Sequence, residues 1–341
     1  MLNFSENVDV ESGNITIKKT NDDTTVETID VTGNTVTGSG STQITINPSS
    51  NLDEITSYYL IIDAIAFDDA SGNSFGGISS KTTYNFTTVD STNPSLSSSA
   101  PADNATGVGR KANIFLTFSE AVDVESGNIT IKKTSDDNTF ETIDVTGNKV
   151  TGSGSTIIKI NPSNTFASGT EYYILIDATA FDDAAGNSYA GISSTTALSF
   201  TSKDTVKPYL TSTVPAHLAT DIATNANIVL NFSETVVAQS GGHYITIFNK
   251  SDDSEFEKID VTNAKVSGSG TNQITINPGT DFVEKSIYYI KIDATAFDDS
   301  SGNSYGGISS TNKYKFTIVD STNPTLSTSS PTDGATNVNT L

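Results

Sequence analysis

Apolar and polar residues alternate along this chain in short runs, and the runs are separated by turn-forming residues. Asn128-Ile129-Thr130-Ile131-Lys132 and Phe140-Glu141-Thr142-Ile143-Asp144-Val145 show the pattern most plainly. Period two marks a strand with one face on a core and the other in water. Ile114-Phe115-Leu116-Thr117-Phe118 reads as a more fully buried strand. Ile157–Ile160, Tyr173–Asp177 and Leu198–Thr201 follow it, and Pro94–Ser99 precedes it. Ser135-Asp136-Asp137-Asn138 and Gly152-Ser153-Gly154 supply turn chemistry between them. No segment longer than a turn carries a helical period. Seven short strands joined by polar turns predict an all-β, two-sheet sandwich.

The pattern recurs. Phe4-Ser5-Glu6 returns as Phe118-Ser119-Glu120 and Phe232-Ser233-Glu234, at steps of 114 residues. Phe67-Asp68-Asp69 returns as Phe181-Asp182-Asp183 and Phe297-Asp298-Asp299, the second step being 116 because Gly241-Gly242-His243 lengthens a loop. Such a period is too long for a solenoid unit and fits an independent sandwich of about 100 residues. The repeats are expected at 1–91, 92–205 and 206–321, with 322–341 opening a further one. The first repeat lacks residues equivalent to Pro94–Ile114, so it is expected to lack its first strand. Pro324 to Leu341 supplies that kind of sequence, with Leu326 and Val338 at the positions of Leu96 and Val108.

Leu52 to Tyr58, Phe166 to Tyr172 and Phe282 to Tyr288 keep one six-residue offset before the sixth strand. This looks like the tyrosine corner of immunoglobulin-like sandwiches, in which a Tyr hydroxyl bonds back to the connecting backbone. Composition adds detail. Hydrophobic residues are only 35% of the chain, so the 16 Phe and 12 Tyr must supply much of the core. With no cysteine, no disulfide holds the sandwiches. A net charge of −22 disfavours nucleic acid and anionic lipid as partners and attracts cations. No run is long enough for a membrane helix. Met1–Glu6 shows no secretory leader, and the final residues show no anchoring sequence.

Pro101-Ala102-Asp103-Asn104-Ala105-Thr106-Gly107-Val108, Leu116-Thr117-Phe118-Ser119-Glu120-Ala121-Val122, Phe181-Asp182-Asp183-Ala184-Ala185-Gly186-Asn187 and a closing Phe200-Thr201 together carry a family resemblance. The repeat resembles the bacterial Ig-like domain of the SbsA type, found in S-layer proteins and giant adhesins. That resemblance implies a secreted or cell-surface bacterial protein, longer than this chain, whose repeats serve as spacers in an elongated array.

Acidic residues converge at one end of each sandwich. Calcium takes six to eight oxygen ligands. Asp182, Asp183 and Asn187 are placed in the loop between the sixth and seventh strands. Glu120 and Asp123 are placed after the second, and Asp90 in the entering linker. A structural calcium ion there would stiffen the junction. The corresponding set at the next junction is Asp204, Glu234, Asp298 and Asp299. Val237-Ala238-Gln239 replaces Asp123-Val124-Glu125 in the third repeat and weakens the set there. The alternative is that Asp-Asp and Gly-Asn are turn formers with no ion.

Catalysis is not expected: His217 and His243 lie in loops without a nucleophile motif. Three functions remain open. The first is a structural stalk that spaces other modules, with neighbouring repeats as its partners. The second is a fibre subunit in which Pro324, Leu326, Val338 and Leu341 complete the first repeat of the next molecule, head to tail, by strand addition. The third is an adhesin module that binds a glycan or cell-surface ligand through Phe75, Tyr189 and Tyr305, which recur at one loop position and otherwise read as anchors on the core.

Overall fold

The computed structural model describes residues 1–339. Every regular element among them is a β-strand. The chain divides into two compact units. One holds Met1–Ala105, Lys111–Asn164 and Tyr172–Phe200; the other holds Thr106–Arg110, Thr165–Glu171 and Thr201 onward.

In the first repeat, one sheet runs Val36–Thr37, Ser41–Ile46, Leu2–Val10, Phe67–Asp69. The other runs Thr25–Asp30, Asn14–Lys19, Ser57–Ile62, Asn85–Thr87. Ile15, Ile17, Ile29, Ile44, Tyr58 and Phe67 fill the space between them. Their alternation along each strand follows from successive side chains pointing to opposite faces.

The second repeat repeats this plan with more strands. Val150–Thr151, Ser155–Ile160, Ile114–Val124 and Phe181–Asp182 form one sheet, and Leu96–Ala100 also pairs with Ile114–Val124. The other sheet is ordered Thr139–Asp144, Asn128–Lys133, Glu171–Ile176, Ser199–Ser202, Ala105–Val108. In the third repeat, Leu210–Val214, Ile228–Ala238, Thr271–Ile276 and Val266–Ser267 form one sheet, with Phe297–Asp298 on Ile228–Ala238. Glu255–Asp260, Tyr244–Asn249, Ile287–Ile292 and Lys315–Thr317 form the other.

The expected strands are present, with additions. Val150–Thr151, Phe181–Asp182 and Ala105–Val108 are two to four residues long, too short for alternation to register. The strand expected at Ile114–Phe118 continues to Val124. Its pairing with Ser155–Ile160 shifts register between Thr117 and Val122, so Phe118–Ala121 bulge out of the ladder. The bulge interrupts the alternation, which is why the sequence reads as a loop there.

The turns obey local chemistry. Asp136 Oδ1 accepts the Asn138 N–H at 3.1 Å, and Asp137 holds a φ of 57°. Gly152 has a φ of 107°, and a Cβ there would lie 2.1 Å from the Ile157 carbonyl oxygen, so only glycine fits. Tyr58 Oη accepts the Asp53 N–H at 2.9 Å, and Tyr288 Oη accepts the Val283 N–H at 3.1 Å. Both tyrosines are fully buried, and their hydroxyls form the corner expected from the six-residue offset.

Candidate metal centres

Two sets of three carboxylates assemble where a linker meets the following sandwich. Oxygens of Asp90, Glu120 and Asp183 lie within 4.8 Å of one another, as do those of Asp204, Glu234 and Asp299. Asp183 and Asp299 are each only 5% exposed, and the other four are half-buried.

Each position has a local cause. Glu120 sits in the bulge, outside the Ser155–Ile160 ladder. The bulge is held on its other side by the Ser119 N–H, which donates to the Ser95 carbonyl at 2.8 Å. Asp183 begins the turn after Phe181–Asp182. Its Oδ1 accepts the N–H groups of Ala185 and Asn187, each at 2.8 Å, and its Oδ2 accepts from Asn187 Nδ2 at 2.8 Å. Asn187 Nδ2 also reaches the Asp90 carbonyl at 3.3 Å, tying the turn to the linker. The second centre copies this: Asp299 accepts from Ser301, Asn303 and the Asn303 amide, which also reaches the Asp204 carbonyl at 3.4 Å.

The linkers are pinned from the preceding sandwich as well. Glu54 accepts the hydroxyls of Ser91 and Thr92, the latter at 2.6 Å. In the next linker Ser168 occupies the Glu54 position. It donates to Asp204 Oδ1 at 2.7 Å and accepts the Thr205 N–H at 2.6 Å. Glu284 again takes the hydroxyls of Ser321 and Thr322. This role of Glu54 and Glu284 was readable only as a glutamate at one repeat position, replaced by Ser168 in the second repeat.

The electrostatics of the two centres agree. Burial pushes the Glu120 carboxyl above its ordinary value, and the charges of Asp90, Asp183 and Glu54 add to this. Burial likewise raises Glu234, followed by the charges of Asp299 and Asp204. For Asp183, burial works upward but is outweighed by the hydrogen bonds from Asn187, Ala185 and Gly186, which hold its carboxyl below the ordinary value. The Val206 N–H and the Ser168 hydroxyl lower Asp204. Each centre therefore gathers anionic oxygens whose mutual repulsion a divalent cation would relieve. Carboxylate oxygens at this spacing are the donors that calcium prefers.

Asp123, Asp182 and Asp298 are placed outside these trios. Asp123 and Asp182 face each other across the strand ladder, and Asp123 Oδ1 accepts the Ser153 hydroxyl at 3.1 Å. Asp182 and Asp298 each keep a buried Oδ1 without a hydrogen-bond partner. Only the second aspartate of each Asp-Asp pair reaches the centre, because the first is held in a strand and the second opens the turn. Asn187 lies at the rim as a tether.

Phe75, Tyr189 and Tyr305 turn inward. They meet Phe4, Phe118 and Phe232 edge to face, with centroids 5.3, 5.1 and 5.2 Å apart. His217 Nδ1 accepts the Lys315 N–H at 3.3 Å, and His243 Nδ1 lies 3.5 Å from the Thr295 hydroxyl. Pro324 to Asn339, including Leu326 and Val338, are exposed and form no strand; Leu341 lies outside the described residues.

Antiparallel sheets stacked in pairs, tyrosine corners and a repeated linker define tandem immunoglobulin-like sandwiches. The chain belongs to the bacterial Ig-like domain family, whose model matches residues 1–88, 90–202 and 204–318. No curated protein matches it. Among solved structures it is similar to the I-band fragment I67–I69 of titin, at 12% identity and a TM-score of 0.33, covering 93% of this chain and 97% of that one. The tetra-tandem repeat from the extending region of a large adhesion protein is 13% identical, with a TM-score of 0.27, and the match covers 90% of this chain and 68% of that one. The N-terminal part of the bacterial S-layer protein SbsC is 12% identical, with a TM-score of 0.24; the match covers 67% of this chain and 45% of that one.

Proposed function

We propose that this chain is a non-enzymatic spacer segment of a bacterial cell-surface protein, and that its repeat junctions are fixed by calcium. The observation that carries this reading is the linker. Both linkers are short, hydrogen-bonded to the sandwich before them and brought against a Glu–Asp pair of the sandwich after them. A linker held from both sides has little slack, so the repeats work as a spacer rather than as independent modules on a flexible tether. A cation bridging Asp90 to Glu120 and Asp183 would add a bond from linker to domain, and Asp204, Glu234 and Asp299 would do the same. Similarity to the extending region of an adhesion protein and to an S-layer protein supports an extracellular setting. There calcium is abundant, and a net charge of −22 keeps the chain soluble.

The experiment is thermal unfolding together with small-angle X-ray scattering, in millimolar calcium and in EDTA. Calcium is expected to raise the midpoint and change the radius of gyration. If neither responds, the clamp is ruled out; a chain whose scattering fits freely jointed repeats in both buffers rules out the spacer reading.

A further inference from the structure

We propose, beyond the spacer reading, that a lysine stripe on one sheet of the third repeat docks an acidic sheet face of a second copy of this chain. The sheet is the one ordered Glu255–Asp260, Tyr244–Asn249, Ile287–Ile292, Lys315–Thr317. Ile245, Ile247, Tyr288 and Phe316 belong to the core, so alternation sends Tyr244, Thr246, Phe248, Tyr289 and Lys291 to the outer face. Thr246 is opposite Lys258 on one neighbouring strand and Lys291 on the other, and Lys315 is opposite Tyr289. Three lysines therefore cross the sheet in a row. Rings hold two of them: Lys258 Nζ is 4.0 Å from the centre of the Tyr244 ring, and Lys291 Nζ is 5.2 Å from that of Phe248. Among the described residues none of the three forms an ion pair. Nearby carboxylates are engaged elsewhere: Asp253 pairs with Lys250 at 3.5 Å, Asp260 accepts from Thr262, and Asp293 accepts the Tyr244 N–H. Glu255 is exposed, opposite Phe248. The stripe is particular to the third repeat. Thr28, Ile61 and Asn85 hold the equivalent positions in the first repeat, and Thr142, Leu175 and Ser199 in the second.

Charge complementarity identifies the occupant. In the second repeat Asp123 stands opposite Asp182 in the ladder of the other sheet, and the exposed Glu125 lies two residues on. Asp9, Asp68 and Glu11 form the same triplet in the first repeat. Like charges directly opposite repel, and Asp68 and Asp182 each keep a buried Oδ1 without a hydrogen-bond partner. The third repeat has Val237, Gln239 and Asp298 at these positions. It has therefore lost two carboxylates on one sheet and gained three lysines on the other. A face with three carboxylates matches a face with three lysines, and the chain itself carries both. The stripe suits charge better than sugar. Phe248 stacks on Tyr289 with centroids 5.0 Å apart, and Lys258 covers Tyr244, so these ring faces are already occupied. The net charge of −22 opposes association at long range. At ~0.15 M salt that field is screened within ~8 Å, and the facing patches decide the contact. The two surfaces differ, so the contact joins unlike faces of the two copies.

The test is sedimentation of the full chain and two charge variants over a concentration series. The first variant carries Lys258→Gln, Lys291→Gln and Lys315→Gln, which keep much of each stem and remove its charge. The second carries Asp9→Asn, Glu11→Gln, Asp68→Asn, Asp123→Asn, Glu125→Gln and Asp182→Asn. At ~50 mM salt the parent mass should grow with concentration, and ~500 mM salt should weaken the association by at least ~10-fold. Each variant alone should stay monomeric. Mixing the two should restore association, because one keeps the carboxylates and the other the lysines; that complex also shows that both variants are folded. A parent chain that stays monomeric to ~100 µM at low salt overturns the proposal. So does a variant that associates as the parent does, or a mixture that stays monomeric. A monomeric parent that instead binds polygalacturonate through the lysines assigns the stripe to an acidic polysaccharide and equally overturns the copy-to-copy contact. All arms are run in EDTA, so their outcome is independent of the calcium clamp.

Discussion

The first and second repeats share most of their sequence and differ in how well their cores are closed. Ile160, Phe166, Leu198 and Phe200 are buried in the second repeat. Their counterparts Ile46, Leu52, Tyr84 and Phe86 are only half-buried in the first. Phe118 and Tyr189 are buried, whereas Phe4 and Phe75 are not. The difference traces to the segment 94–114, which has no counterpart in residues 1–88: its residues Ala105–Val108 pair with Ser199–Ser202, Arg110 accepts the Phe166 N–H, and its strand Leu96–Ala100 pairs with Ile114–Val124. That strand's own side chains bury little, since Leu96 is half-buried and its neighbours are largely exposed. The segment's contribution is therefore to exclude water from the large rings beneath it. Both repeats keep the tyrosine, the hairpins and the bulged strand, so the shared scaffold does not depend on that cover. The acidic centre differs in parallel. Glu6 and Asp69 have no linker aspartate beside them among the described residues, while Glu120 and Asp183 have Asp90.

The largest expected effect comes from challenging both cores equally. Phe67→Ala and Phe181→Ala each remove a fully buried ring, at a cost of about 3–5 kcal/mol. Hydrogen exchange resolved by repeat should show the first repeat unfolded in one variant and the second still protected in the other; equal protection would erase the contrast. Next, placing the segment equivalent to Pro94–Ile114 ahead of Met1 should bury the half-exposed rings. Calorimetry should show the first repeat gaining about 2–4 kcal/mol, or roughly 10–20 °C in midpoint. A smaller effect sharpens the shared part. Tyr58→Phe and Tyr288→Phe each leave one N–H without its partner, those of Asp53 and Val283, and should each cost about 1–2 kcal/mol, alike in both repeats, by chemical denaturation.

The smallest effect is electrostatic. The Glu120 carboxyl is held above its ordinary 4.5 by burial and by the charges of Asp90, Asp183 and Glu54. A carboxyl that binds its proton more tightly folded than unfolded adds stability on protonation. In EDTA, its contribution should therefore grow as pH falls through the raised folded value, and level off below the unfolded one. Calcium competes with the proton and should suppress this gain. Glu120→Gln should lack it, as seen by comparing melting curves over pH.

The sandwich was legible because alternation, turns and a fixed period all point the same way, from Asn128–Lys132 to the Leu52–Tyr58 offset. The acidic end was legible as a set of residues but not as a geometry. Sequence placed Glu120 and Asp123 in one loop. The bulge at Phe118–Ala121 instead leaves Glu120 with the linker and returns Asp123 to the ladder opposite Asp182. Register shifts of this kind depend on pairing across sheets, which no local pattern encodes. Glu54 was missed for a related reason: its partners Ser91 and Thr92 are nearby only after folding.

The most direct test of the calcium-fixed junction is calorimetric titration of the metal-free chain with calcium, alongside Glu120→Gln, Glu234→Gln and the double variant. Two trios predict two ions per chain, one in either single variant and none in the double variant. No uptake by the parent chain, or uptake unchanged by both substitutions, would contradict it.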